Sequence, residues 1–199
     1  HKAVNKMHEM SFLVYNLVIF PMMAGILIVN DDFVQFFLGQ DFQDARYAIA
    51  IMIFRMFFIG WTNIMGIQML IPHNQNKEFM ISTTAPAIIS VGLNLLFLPK
   101  LGYIGAAIVS VLTEALVWAI QLYFTSRYLK EVPIIGSMTK IVLASAIMYG
   151  ILLGSKTVIH FSPTLNVLVF AVLGGIIYLF TILSLKVVDV KELKQIIKK

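Results

Sequence analysis

Apolar residues run in six long stretches along this chain, at residues 11–29, 47–71, 79–98, 104–124, 141–158 and 165–185, with short polar segments between them. Each is about 18 to 25 residues long, enough to cross a hydrocarbon core of about 30 Å as a helix. Apolar and polar positions do not alternate within them, as the strands of a membrane barrel would require. In lipid every backbone N–H and C=O must be paired internally, and a helix does this within one segment. The pattern predicts an all-α polytopic membrane protein with six transmembrane helices.

The connecting segments carry the punctuation. Residues 1–10 read as the end of an amphipathic segment. Pro21 lacks an N–H and is expected to kink the first span. Residues 30–44 form the longest loop on the outer side; Phe33, Phe36, Phe37 and Phe42 stand there among aspartates and read as a short helix lying at the interface. Tight turns are expected at 72–77 and 99–103. Gly105, Ala106 and Ala107 then open the fourth span with small side chains that let helices approach closely. Residues 125–140 read as a basic link containing Pro133 and Gly136. That link divides residues 1–130, a four-helix unit, from residues 131–199, the last two spans and a basic tail. The tail, 187–199, suits anionic lipid headgroups.

Composition agrees with a lipid solvent: 59% of residues are hydrophobic and 13% charged, with mean hydropathy +0.89. A soluble domain of this size needs a largely polar exterior. The positive charge has a direction. Of the 15 Lys and Arg, 11 lie at the termini and in the even-numbered loops, while Arg46, Lys100 and Lys156 lie on the other side and Arg55 lies inside a span. The positive-inside rule places both termini in the cytoplasm, which makes this a multi-pass protein of the cytoplasmic membrane. There is no basic face interleaved with aromatics, so nucleic acid is not an expected partner. The absence of cysteine excludes disulfides and thiolate metal sites. His1, His8, His73 and His160 show no metal-ligand spacing, and no catalytic motif, cofactor motif or phosphate-binding glycine loop is visible. The polar start without an initiator Met reads as the C-terminal part of a longer protein.

Two charges inside spans stand out. Arg55 and Glu114 each cost at least about 2.5–3.5 kcal/mol if they face lipid, so they are expected to face protein or water. Helical periodicity groups polar residues beside them. Arg55, Ile59, Thr62, Asn63 and Gly66 share one face of the second span. Thr83, Ala87, Ser90 and Asn94 share a face of the third. Ser110, Glu114, Gln121 and Thr125 share a face of the fourth, with Trp118 beside them. Three consecutive helices therefore each carry a polar stripe. Arg55, Asn63, Ser90, Asn94, Glu114 and Gln121 are the candidate substrate-cavity residues. The competing reading is interhelical packing, with small residues for contact and hydroxyls as modest glue. On that reading Arg55 and Glu114 are a structural pair.

The order of these features resembles a known family. Phe20-Pro21-Met22-Met23-Ala24-Gly25 is followed by Phe37-Leu38-Gly39-Gln40-Asp41-Phe42-Gln43-Asp44-Ala45. Then come Asn63-Ile64-Met65-Gly66-Ile67-Gln68-Met69-Leu70-Ile71-Pro72, Leu93-Asn94-Leu95-Leu96-Phe97-Leu98-Pro99, and Leu101-Gly102-Tyr103-Ile104-Gly105-Ala106-Ala107 leading to Thr113-Glu114. Over residues 11–125 this resembles the C-terminal lobe of Wzx-type polysaccharide flippases of the MATE/MOP exporter superfamily. The resemblance implies the C-terminal half of a MOP-type transporter, helices nine to fourteen, whose partner is the N-terminal lobe of the same protein. It implies a lipid-linked oligosaccharide, a polyprenyl-pyrophosphate sugar, moved across the membrane for surface polysaccharide assembly. Arg55 would hold the pyrophosphate and Glu114 would titrate in an ion-coupled cycle. The alternatives are a drug/cation antiporter of the same superfamily, which would favour acidic cavity residues, and a membrane-embedded transferase. The transferase would need a dyad, for which His160 with Asp31 or Asp32 offers no motif. A non-transporting scaffold subunit would not need charges in mid-span.

Overall fold

The computed structural model describes residues 2–158 and 161–187. His1, His160 and all of the expected basic tail beyond Val187 lie outside the described residues. Among the described residues every regular element is helical. They are α1 (Lys2–Phe37), one 3-10 turn (Gln40–Phe42), α2 (Ala45–Asn63), a π-helical segment (Ile64–Leu70), α3 (Asn76–Leu129), α4 (Ile134–Lys156) and α5 (Pro163–Ser184).

Five of these helical stretches are long and apolar enough to cross a membrane, α2 and the π segment counting as one. The sequence led us to expect six separate spans. The difference lies in α3, whose 54 residues contain both the third and the fourth. Its backbone leaves helical geometry at Gly102, with φ 53° and ψ −136°. Gln121 Nε2 donates to Ser82 Oγ at 3.2 Å. In an unbroken helix those residues would stand roughly 58 Å apart at 1.5 Å per residue. The chain therefore folds back on itself at Gly102, nearly midway between them. The positive φ there is one that glycine adopts without steric cost.

The helices also run further than the apolar pattern suggested. Residues 30–37 are the end of α1 rather than a separate interfacial helix. The helix stops only at Gly39, whose φ is +85°, and the rest of the expected loop holds a single 3-10 turn. Likewise α3 continues to Leu129 and α4 begins at Ile134, so the basic link expected over 125–140 shrinks to a few residues around Pro133. A helix needs apolar residues only where it meets hydrocarbon, and it can continue into water with aspartates or lysines on its surface. Pro21 lies inside α1, which runs through it.

The chain divides into two units. The first takes the start of α1 up to Tyr15 and residues 42–133; the second takes α1 from Asn16 to its end and the residues from Ile134 onward. In the first, Phe12, Met65, Met69 and Leu70 are fully buried, and rings pack in sequence from Phe12 to Trp61 (4.7 Å) and from Trp61 to Trp118 (6.3 Å). In the second, Ile141, Leu152 and Phe170 form the interior, and Gly174 lets α5 approach Leu152. Large apolar side chains such as Leu95 and Phe180 are 74% exposed, as residues facing acyl chains should be.

A proline inside or at the end of a helix has no N–H for the carbonyl four residues earlier, and in each unit a side chain takes over one such carbonyl. In the second unit Pro21 leaves that of Leu17, and the Tyr178 hydroxyl donates to its oxygen at 2.8 Å. In the first unit Pro72 leaves that of Gln68, and Nε2 of His8 stands 3.1 Å away. A carbonyl can only accept, so Nε2 carries the hydrogen. His8 is 2% exposed, and its place in the structure is this cap.

Candidate functional site

Arg55 projects from α2 and Glu114 from the second arm of α3, and the two meet. Nη2 of Arg55 donates to Glu114 Oε1 at 2.9 Å and Nε to the same oxygen at 3.2 Å. Both side chains are partly buried, 38% and 19% exposed. The guanidinium thus neutralises the carboxylate, which lets both charges sit on helices that are otherwise apolar. Nη1 of Arg55 and Oε2 of Glu114 make no hydrogen bond among the described residues.

The pair lies in a groove of about 460 Å³ within the first unit. Its walls come from α2, both arms of α3 and the start of the π segment. Arg55, Asn63, Glu114 and Gln121 line it, together with Thr62, Thr83 and Thr113. Four of the six candidate residues are brought together. Ser90 and Asn94 are not among the lining residues. They lie further along the first arm of α3, toward Gly102, where the Asn94 amide donates to the Ser90 carbonyl at 2.9 Å.

Sequence reasoning missed Thr113, Phe79 and Val117 as lining residues. Thr113 and Val117 fall on the Glu114–Gln121 face once that face is taken a full half-turn wide. It also missed Ile67, which the π segment contributes to the lining. The π segment is fixed by Ile71 N–H bonding to the Gly66 carbonyl, five residues back, at 3.2 Å. Such widened turns are rare in helices and cluster at functional sites. A side chain at Gly66 would sit 2.7 Å from the Phe79 ring and 3.0 Å from Gln121 Nε2, so glycine is what lets this segment reach the groove. Gln121 is 1% exposed. The Ser82 hydroxyl donates to the Phe79 carbonyl at 2.7 Å, so it can only accept from Gln121. That fixes the amide orientation and leaves Gln121 Oε1 buried without a partner among the described residues.

The second unit has a polar cluster of its own. Lys156 Nζ lies 3.4 Å from Asp32 Oδ2 and donates to the Ile28 carbonyl at 2.7 Å. Asn166 Nδ2 donates to Asp32 Oδ1 at 2.9 Å, while Asn166 Oδ1 accepts from the Phe161 N–H. These bonds tie the ends of α1, α4 and α5. Among the described residues there is no group of three or more His, Asp or Glu placed to hold a metal ion.

Apolar helices of this length around a charged groove define an all-helical, multi-pass membrane protein. Two curated proteins are similar to the chain. One is the probable low-salt glycan biosynthesis flippase Agl15 of Haloferax volcanii, 24% identical over 165 residues, covering 81% of this chain and 34% of that protein. The other is an uncharacterised membrane protein of Methanocaldococcus jannaschii, 25% identical over 202 residues, covering 100% of this chain and 39% of its own length. The chain thus spans little more than a third of either relative. No family model matches the sequence, and no solved structure matches it.

Proposed function

We propose that this chain belongs to a transporter, not an enzyme, that moves lipid-linked oligosaccharide across the cell membrane for surface polysaccharide assembly. It would be the C-terminal half of a MOP-type exporter, working with an N-terminal lobe. On this reading α1, α2 with the π segment, the two arms of α3, α4 and α5 make six crossings. Both ends of the chain are then cytoplasmic, in keeping with the bias of Lys and Arg.

The observation that carries the proposal is the Arg55–Glu114 pair on a polar groove in a chain similar to a glycan flippase. A sugar headgroup cannot cross hydrocarbon without losing its hydration. A polar groove replaces that hydration while the polyprenyl tail stays in lipid. The substrate phosphate competes with Glu114 for the Arg55 fork, for which two parallel N–H bonds suit a phosphate well.

Complementation of surface polysaccharide tests this, in cells lacking the intact protein and with membrane abundance measured alongside. Arg55→Ala is expected to abolish export at normal abundance. Arg55→Lys keeps the charge without the planar fork and should retain part of it. Normal export by Arg55→Ala at normal abundance would remove Arg55 from the mechanism.

A further inference from the structure

The hydrogen-bond donors of the groove are largely committed to its own helices. Thr62 Oγ1 donates to the Ile59 carbonyl at 2.9 Å, Thr113 Oγ1 to the Val109 carbonyl at 2.7 Å, and Thr83 Oγ1 to the carbonyls of Phe79 and Met80 at 3.1 Å. Asn63 Nδ2 donates to the Ile59 carbonyl at 2.9 Å, and Gln121 Nε2 to Ser82 Oγ. A hydroxyl has a single hydrogen, so each threonine oxygen offers only lone pairs to a ligand. To these the groove adds Asn63 Oδ1 and Glu114 Oε2. The free N–H groups are two on Arg55 Nη1 and one on Nη2, and away from Arg55 the second N–H of the Asn63 carboxamide. The wall is therefore rich in acceptors, while its formal charge is balanced within the Arg55–Glu114 pair.

A ligand that fits such a wall brings donors of its own. An organic cation does so but meets Arg55. A uronic acid brings a second anion; with Arg55 engaged by the pyrophosphate of the same substrate, that carboxylate meets the threonine oxygens and Glu114. We infer that the groove selects a neutral sugar unit with free hydroxyls, read by Thr62, Thr83 and Thr113 as hydrogen-bond acceptors. This rests on the glycolipid-transport reading and names the part of the substrate that the first unit recognises. Discrimination of this kind is strong, because a site built to bond a hydroxyl leaves a buried polar atom unpaired when that hydroxyl is missing.

The intact protein in proteoliposomes tests the inference, with three polyprenyl-pyrophosphate disaccharides as probes. One carries neutral hexoses, one the same sugars O-methylated, and one a terminal uronic acid. Translocation is read as accessibility to periodate or to a membrane-impermeant label placed on the sugar. The neutral probe is expected to cross at least tenfold faster than either other. Thr83→Val and Thr113→Val keep shape but remove the acceptor, and each should slow the neutral probe about three- to tenfold, the worth of one net hydrogen bond. Thr83→Ser restores the oxygen and should restore the rate. Equal rates for the neutral and O-methylated probes would overturn the inference while leaving glycolipid transport standing. So would an unchanged rate in both valine variants. Failure of all three probes to cross, with uptake of an organic cation instead, would overturn the transport reading itself.

Discussion

The two units answer the same solvent differently. The second holds a groove of about 570 Å³ lined by Leu17, Pro21, Gly25, Phe170, Gly174 and other apolar or small residues. Its polar groups are used to finish the backbone, through Tyr178, and to tie helix ends, through Asp32, Lys156 and Asn166. The first unit also finishes its backbone, through His8 on Gln68, but then leaves a second set of polar side chains along a groove. Each unit caps one carbonyl that a proline leaves without its helical donor; among the described residues, the groove of the first is lined by an ion pair and a row of hydroxyls, and that of the second by apolar and small side chains. Polar atoms that satisfy the fold and polar atoms left over from it are thus distinguishable here residue by residue.

The comparison breaks most decisively at the ion pair. Glu114→Ala leaves Arg55 without its carboxylate and Arg55→Ala does the reverse, so each should reduce glycan export more than tenfold. The double variant should recover membrane abundance relative to the less abundant single one, because it removes an uncompensated charge. Quantitative blotting beside the export assay decides this, and a double variant less abundant than both singles would contradict it. Next in size is Gly66→Ala, whose methyl meets the Phe79 ring and Gln121. Overpacking of this kind costs about 1–3 kcal/mol, measurable as a lower unfolding midpoint in detergent. Gly174→Ala is the control in the second unit: its methyl would be 3.2 Å from Leu152 Cδ1, the mobile end of a side chain, and a smaller shift is expected. Tyr178→Phe removes the cap on Leu17 and should cost about 1 kcal/mol, seen as faster amide exchange around Pro21. The smallest effect is expected for Lys156→Ala. Lys156 is about a third exposed, and such pairs contribute on the order of 0–1 kcal/mol.

What the sequence made legible follows from the solvent. Apolar length locates the stretches that meet hydrocarbon, and 100° periodicity gathered Arg55, Asn63, Glu114 and Gln121 onto faces that do meet. The same periodicity placed Ser90 and Asn94 on the stripe, yet neither lines the groove, although Ser90 stands as many residues from Gly102 as Glu114 does. The ends of α1 and α3 were misread because hydropathy reports the membrane, not the helix. The π segment and its His8 cap were invisible for another reason. Pro72 announces that Gln68 loses a donor, but the residue that replaces it comes from 60 positions away.

Gly102 makes the composition of the groove a matter of counting. Ser82 and Gln121 lie at nearly equal chain distance from it, and everything facing them does so because the two arms of α3 are matched in length about that bend. Each residue inserted into one arm turns the face beyond it by about 100° and slides it by about 1.5 Å. One extra residue between Tyr103 and Thr113 would swing Glu114 away from Arg55 without altering a single side chain of the site. Only length changes that come close to whole turns would keep Glu114 toward Arg55. Drift in this protein can therefore substitute residues along the arms of α3 far more freely than it can add or delete them.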